Sequence, residues 1–120
     1  MVESINTRAD LTAEAVAYLG FPKYGKILMG DNGLEFFSDR NVTDNMTFPW
    51  SSIDRIEGDV SRSGKVRRQF YIVLENQVKI RFASKASGKI LRLFRDQLGN
   101  DRVVRAPSFL GTLTRFFTKH

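Results

Sequence analysis

The stretch Phe48–Val60, FPWSSIDRIEGDV, places Trp50, Ile53 and Ile56 three residues apart. A strand repeats its apolar positions every two residues, and a helix alternates steps of three and four. Neither periodicity fits, but a turn does. Phe48 and Trp50 end one extended piece, Ser51 and Ser52 reverse the chain, and Ile53 re-enters the core. Ile56, Gly58 and Val60 then alternate as the inner face of a new strand. Pro49 has no N–H to give to a ladder and cuts the preceding strand short. The three spaced residues are read as core, not as a site.

Downstream of that stretch, RSGKVRR (Arg62–Arg68) is a basic turn with Gly64 at its tip, and QFYIVLE (Gln69–Glu75) is a near-continuous apolar strand. In VKIRFA the pattern alternates, with Val78, Ile80 and Phe82 inside and Lys79 and Arg81 outside. The period then changes. In SKASGKILRLFRDQLG, Ile90, Leu91, Phe94 and Leu98 form one helical stripe, with Ser84 as cap and Gly99 as stop. After NDRVVRAP, the segment SFLGTLTRFFTKH again sets Phe109, Leu110, Leu113, Phe116 and Phe117 on one helical face.

Upstream, MTF is a brief strand after the polar loop DRNVTDN. KYGKILMG and GLEFFS flank DNG as a hairpin, because Asn and Gly tolerate positive φ. LTAEAVAYLG reads two ways. Leu11, Ala13, Ala15, Ala17 and Leu19 alternate as a strand does, whereas alanine content, a Thr12 cap and the Gly20 stop suit a helix.

Up to seven short strands followed by a helix predict a mainly β (α+β) fold. The expected architecture is a partly open antiparallel barrel or bent sandwich, its open end plugged by the helix so that no edge is left to aggregate. Residues 1–105 make the barrel and its capping helix. Residues 106–120 make a second, short amphipathic segment of the same domain. The order of elements resembles the pleckstrin-homology and GRAM superfold, and the tryptophan-turn-isoleucine stretch before the fifth strand is similar to a recurrent feature there.

Charge is divided unevenly along the 120 residues. Residues 1–60 hold five Lys/Arg against ten Asp/Glu, residues 61–120 fourteen against three, and the whole chain carries +6. An anionic partner for the second half, whether nucleic acid, lipid headgroups or an acidic protein, competes with a merely solvated basic face. The basic turn offers Arg62, Lys65, Arg67 and Arg68, guanidinium and ammonium groups suited to phosphate or carboxylate oxygens. Phe116 and Phe117, in a segment flanked by Arg105, Arg115 and Lys119, suit a membrane surface or a partner's groove, or else pack back on the chain's own sheet.

Enzyme parts are not evident. The chain has no cysteine, which removes disulfides, zinc–thiolate sites and thiol nucleophiles, and its one histidine is His120. Asp54, Glu57 and Asp59 lie close in sequence but need not share a face, and they read as a charged strand edge. Asp31, Glu35 and Asp39 include groups capable of acid–base work, with nothing to mark a pocket. No catalytic residue, metal or cofactor is therefore expected. The N-terminal MVESINTRADLT lacks the basic and apolar segments of a signal peptide, and no apolar run reaches the roughly 18 residues that span a bilayer. The expected location is the cytoplasm.

Three segments, SINTRADLTAEAVAYLG, KYGKILMGDNGLEFFSDRNVTDNMTFPW and IRFASKASGKILRLFR, resemble the ManO-like family of small mannose-operon proteins. In Gram-positive bacteria these are encoded beside mannose-class phosphotransferase systems, and their domain is one of unknown function. The resemblance runs over nearly the whole chain. It implies a cytoplasmic accessory or regulatory protein, membrane-associated if at all through the transporter, and brings no site residues with it. Phosphocarriers of such systems use histidine or cysteine, so the expectation is a non-enzymatic binding role toward transporter subunits or another anionic surface. The alternative is a DNA-binding regulator of the operon, although the two C-terminal helical segments are too far apart for a helix-turn-helix.

Overall fold

Residues 4–107, described by a computed structural model, form one eight-stranded sheet and one α-helix. The strands are β1 (Ala9–Leu19), β2 (Phe21–Gly30), β3 (Gly33–Ser38), β4 (Met46–Pro49), β5 (Ile53–Val60), β6 (Val66–Leu74), β7 (Lys79–Ala83) and β8 (Val103–Arg105), with helix α1 (Ser87–Leu98) between the last two. Their order across the sheet is β4-β3-β2-β1-β7-β6-β5-β8. Every neighbouring pair is antiparallel except β5–β8.

The mainly β expectation holds, with two corrections. There are eight strands among the described residues, and the sheet is not closed into a barrel. A 3-10 turn at Trp50–Ser52 joins β4 to β5, which do not pair, and β8 occupies the edge of β5 instead. The Ala106 N–H donates to the Gly58 carbonyl at 2.8 Å, extending that pairing past Arg105. Three residues are too few for an alternating pattern to announce a strand. The expected second helix, from residue 108 on, lies outside the described residues.

LTAEAVAYLG belongs to a strand, and its alanines answer to the rings above them. Ala17 stands opposite Phe82 across the β1–β7 pairing, and Ala15 opposite Gly25 across β1–β2. The Phe82 ring lies 5.8 Å from that of Phe36, 5.8 Å from Phe70 and 6.3 Å from Phe48. All four rings are buried, and Phe94 of α1 joins them through Phe70 at 6.2 Å. Bulkier side chains on β1 would compete with these rings for space, so packing overrides the helix propensity of alanine. Gly25, opposite Ala15, leaves no room for a side chain at all. A Cβ there would sit 2.2 Å from the Phe37 carbonyl oxygen and 2.8 Å from Cζ of Phe36.

The three-residue spacing has two causes, only one of which is the turn. Trp50 to Ile53 spans the 3-10 turn. Ile53 to Ile56 spans a bulge: Ile53 pairs with Leu74 and Arg55 with Val73, so β5 spends two residues where β6 spends one. The extra residue restores phase, and Ile53 and Ile56 are both fully buried. Arg102 covers the carbonyls this leaves, its guanidinium donating to the oxygens of Ile53 and Asp54 at 2.5 Å each. Trp50 ties the corner together. Its indole N–H donates to the Gly30 carbonyl at 3.2 Å, and its ring meets Phe94 edge-on at 5.7 Å.

The helix carries the expected stripe, with Ile90, Leu91 and Phe94 buried, and it ends at Gly99. Ser84 is not its cap, because the helix starts three residues later. The Ser84 hydroxyl instead donates to the Glu14 carbonyl at 2.7 Å and accepts from the Ala86 N–H at 3.1 Å, pinning the β7–α1 turn to β1. Val78 is also corrected. It precedes β7 and is exposed, following a turn in which Gln77 adopts a positive φ of 69°.

The DNG hairpin forms without positive φ, because the N-terminal segment holds it in place. The Asn6 side chain accepts from the N–H groups of Asn32 (2.7 Å) and Gly33 (3.0 Å) and donates to the Gly33 carbonyl at 3.1 Å. Asp31 accepts from the Thr7 N–H (2.9 Å), the Arg8 N–H (3.1 Å) and the Thr7 hydroxyl. Glu35, buried, accepts from the Ser4 hydroxyl, the Ile5 N–H and the Asn6 amide. Asp31 and Glu35, candidates for acid–base work on sequence alone, are occupied in this clasp.

Two outcomes follow from this packing. Gly25→Ala will lower stability by about 1–3 kcal/mol in urea denaturation, because backbone has to move to admit the methyl group. The hydrogen bond from Thr7 brings the Asp31 carboxyl from 3.8 down to about 2. A depressed carboxyl contributes stability above its unfolded-state value and loses that contribution as pH falls toward the folded value. The stability difference between the natural chain and Asp31→Asn should therefore be constant above about pH 5 and shrink between about pH 4 and pH 2. A difference that grows on acidification would contradict the clasp.

Candidate anion-binding site

The β5–β6 hairpin ends in a tightly bonded turn. The Ser61 N–H donates to the Lys65 carbonyl at 2.9 Å, the Lys65 N–H to the Ser61 hydroxyl at 3.0 Å, and the Gly64 N–H to the Ser61 carbonyl at 3.0 Å. This tip carries the basic residues singled out from the sequence, and Arg62, Lys65, Arg67 and Arg68 are all exposed. They do not converge as one cluster. Arg67 and Arg68 are consecutive on β6, so their side chains leave opposite faces of the sheet.

Arg62 and Arg67 do come together, in a groove of about 830 Å³ on the outer face. Its floor is Gln69 and Tyr71 of β6, and its far wall is the chain from Arg105 to Pro107. β8 thus brings Arg105 to the two hairpin arginines from about forty residues away in sequence, and its guanidinium donates to the Ser61 carbonyl at 3.3 Å. Lys65 and Arg68 do not line the groove. Phe116 and Phe117 lie outside the described residues. Sequence reading passed over Gln69 and Tyr71, and it set Arg105 beside the C-terminal phenylalanines, not beside the hairpin. The alternation of β6 would have placed Arg67, Gln69 and Tyr71 on one face, but nothing local shows where Arg105 goes.

The electrostatics favour an anion. Among the described residues, Arg62, Arg67 and Arg105 make no ion pair. One carboxylate, Asp59, lines the groove and pairs with none of them. The neighbouring acids are engaged elsewhere. Glu57 is buried between Arg55 (3.1 Å) and Lys79 (3.0 Å), and Asp54 pairs with Arg55 at 2.8 Å. That network roofs Val73, which explains why the β6 sequence is nearly continuously apolar. Hydrogen bonds to Asp54 and then Glu57 raise the Arg55 pKa. Asp54, Glu57 and Asp59 therefore do not form a carboxylate cage; two of them are ion-pair partners of the sheet. Guanidinium groups without counter-ions around a polar floor can bind phosphate or carboxylate oxygens in bidentate fashion.

No helix among the described residues is long and apolar enough to cross a membrane. No curated protein matches the chain in sequence. In fold it is similar to the crystal structure of the C-terminal domain of an unknown protein from Leishmania infantum, with a TM-score of 0.65 and 12% identity over 75% of this chain and 83% of that one. At that identity the likeness concerns the fold alone. The family model described as Domain of unknown function (DUF956) matches residues 1–117, nearly the full length, and the chain belongs to that family.

Proposed function

We propose that the protein is a non-enzymatic accessory or regulatory protein of a mannose-class phosphotransferase system, acting in the cytoplasm by binding an anionic surface of a transporter subunit. We read its bent sheet and helix as a variant of the pleckstrin-homology and GRAM arrangement. The observation that carries the binding role is the groove in which Arg62, Arg67 and Arg105 gather without ion-pair partners among the described residues. The link to the mannose system comes from the sequence resemblance. A phosphoryl relay in such a system would call for histidine or cysteine, and this chain has one histidine, at position 120, and no cysteine.

Co-purification with the transporter subunits tests the proposal. The intact chain should retain a subunit from solubilised membranes, and Arg62→Glu/Arg67→Glu/Arg105→Glu should lose it while melting like the parent. Phe116→Ser/Phe117→Ser measures what the C-terminal segment adds. Retention of no subunit by the intact chain, on or off membranes, overturns the proposal. Preference for mannose-promoter DNA over unrelated DNA of equal length, with affinity falling steeply as salt rises, would establish the operon-regulator alternative in its place.

A further inference from the structure

The strand that brings Arg105 to the groove also has an edge that no described strand covers. The Ala106 N–H points at β5, where it bonds Gly58, and backbone groups alternate sides along a strand. The N–H and C=O of Arg105 therefore face away from β5, and no other described strand pairs with that side. On the helix side of β8 lies a second groove of about 340 Å³, floored by Val60, Val66 and Leu91 and rimmed by Arg92, Arg95 and Arg105. No carboxylate lines it. Gly88, one turn before Arg92 on the same face of α1, keeps it open: a Cβ there meets nothing within 4 Å.

We propose that an extended segment of a partner protein, alternating acidic and branched apolar residues, adds to the open edge of β8. An added strand turns successive side chains to opposite faces. Its apolar residues would lie on the valine–leucine floor of the helix-side groove, and its acidic residues would reach Arg62 and Arg67 in the outer groove. Charge selects this occupant over the others. A second copy joining through its own β8 would set arginine against arginine. Residues 108–120 of this chain contain Arg115 and Lys119 and no acid. The proposal rests on the binding-module reading and adds the chemistry of the partner.

The test uses the full chain and a fluorescent heptapeptide of alternating glutamate and valine, followed by anisotropy. Three further probes accompany it: the same peptide N-methylated at alternate amides, an unlabelled peptide copying residues 108–120, and the variants Gly88→Glu and Gly88→Ala. Gly88→Glu places a carboxylate in the helix-side groove at a position near the helix N-terminus that tolerates acid. Saturable binding is expected, weakened about tenfold or more by N-methylation and by Gly88→Glu, as for one or two lost hydrogen bonds or a new like charge, and retained by Gly88→Ala. Equal binding of the N-methylated peptide would reduce the effect to charge attraction and overturn the proposal. So would displacement by the residue 108–120 peptide at lower concentration than by unlabelled probe. Absence of peptide binding alongside intact capture of a transporter subunit would remove the edge mechanism and leave the binding-module reading standing.

Discussion

The structure depends on a short seam. β1 is bonded to β2 along its whole length but to β7 only through Val16–Ala83, Ala17–Phe82 and Tyr18–Arg81. Those pairs are where the first four strands join the last four into one sheet. Beyond them the strands part, and Ser84 holds the fork by donating to the Glu14 carbonyl. Phe82 sits in the seam with a methyl group opposite, and the rings of both halves close around it. On the outer face the Arg81 guanidinium lies 4.1 Å from the centre of the Tyr18 ring, which adds a cation–π contact to the same joint. A sheet joined so narrowly can bend sharply, and the bend is what gives a chain of this length an enclosed core.

Charge is divided between structure and surface. The acids of the first half largely hold the fold: Asp31 and Glu35 grip the N-terminal segment, Glu57 and Asp54 sit in the network over Val73, and Asp44 pairs with Lys23. From residue 61 onward the bases are mostly without such partners. Lys79 alone among the described ones forms an ion pair, and Arg102 is committed to carbonyls at the β5 bulge. The imbalance in composition therefore corresponds to a division of labour, in which internal satisfaction uses the carboxylates and leaves the guanidinium groups facing solvent around β8. A face of that kind attracts anions at long range and binds them by geometry at short range.

Several features were legible locally because their signals are local. The amphipathic stripe of α1, the DNG hairpin, the basic hairpin and the alternation of Ile80 and Phe82 need only neighbouring residues to be recognised. The misreadings share the opposite character. Ser84 resembled a helix cap and serves β1, seventy residues away. Val78 continued an alternation that a positive-φ turn at Gln77 had already interrupted. The candidate groove was half visible: Arg62 and Arg67 are hairpin residues, but Arg105 joins them only because β8 lies parallel to β5.

The sequence by itself determined the class of the fold, the order of its elements from the hairpins to the helix, and three of the core phenylalanines, Phe48, Phe82 and Phe94, since periodicity and turn chemistry are written within a few residues. Whether LTAEAVAYLG was strand or helix, whether the sheet closed, and which arginines shared a groove were decided by tertiary structure alone. Each of those depends on what stands across a gap rather than along the chain. Alanine becomes a strand residue when rings need the space above it, an edge is closed or left open according to which segment reaches it first, and guanidinium groups form a site when strand pairing sets them side by side.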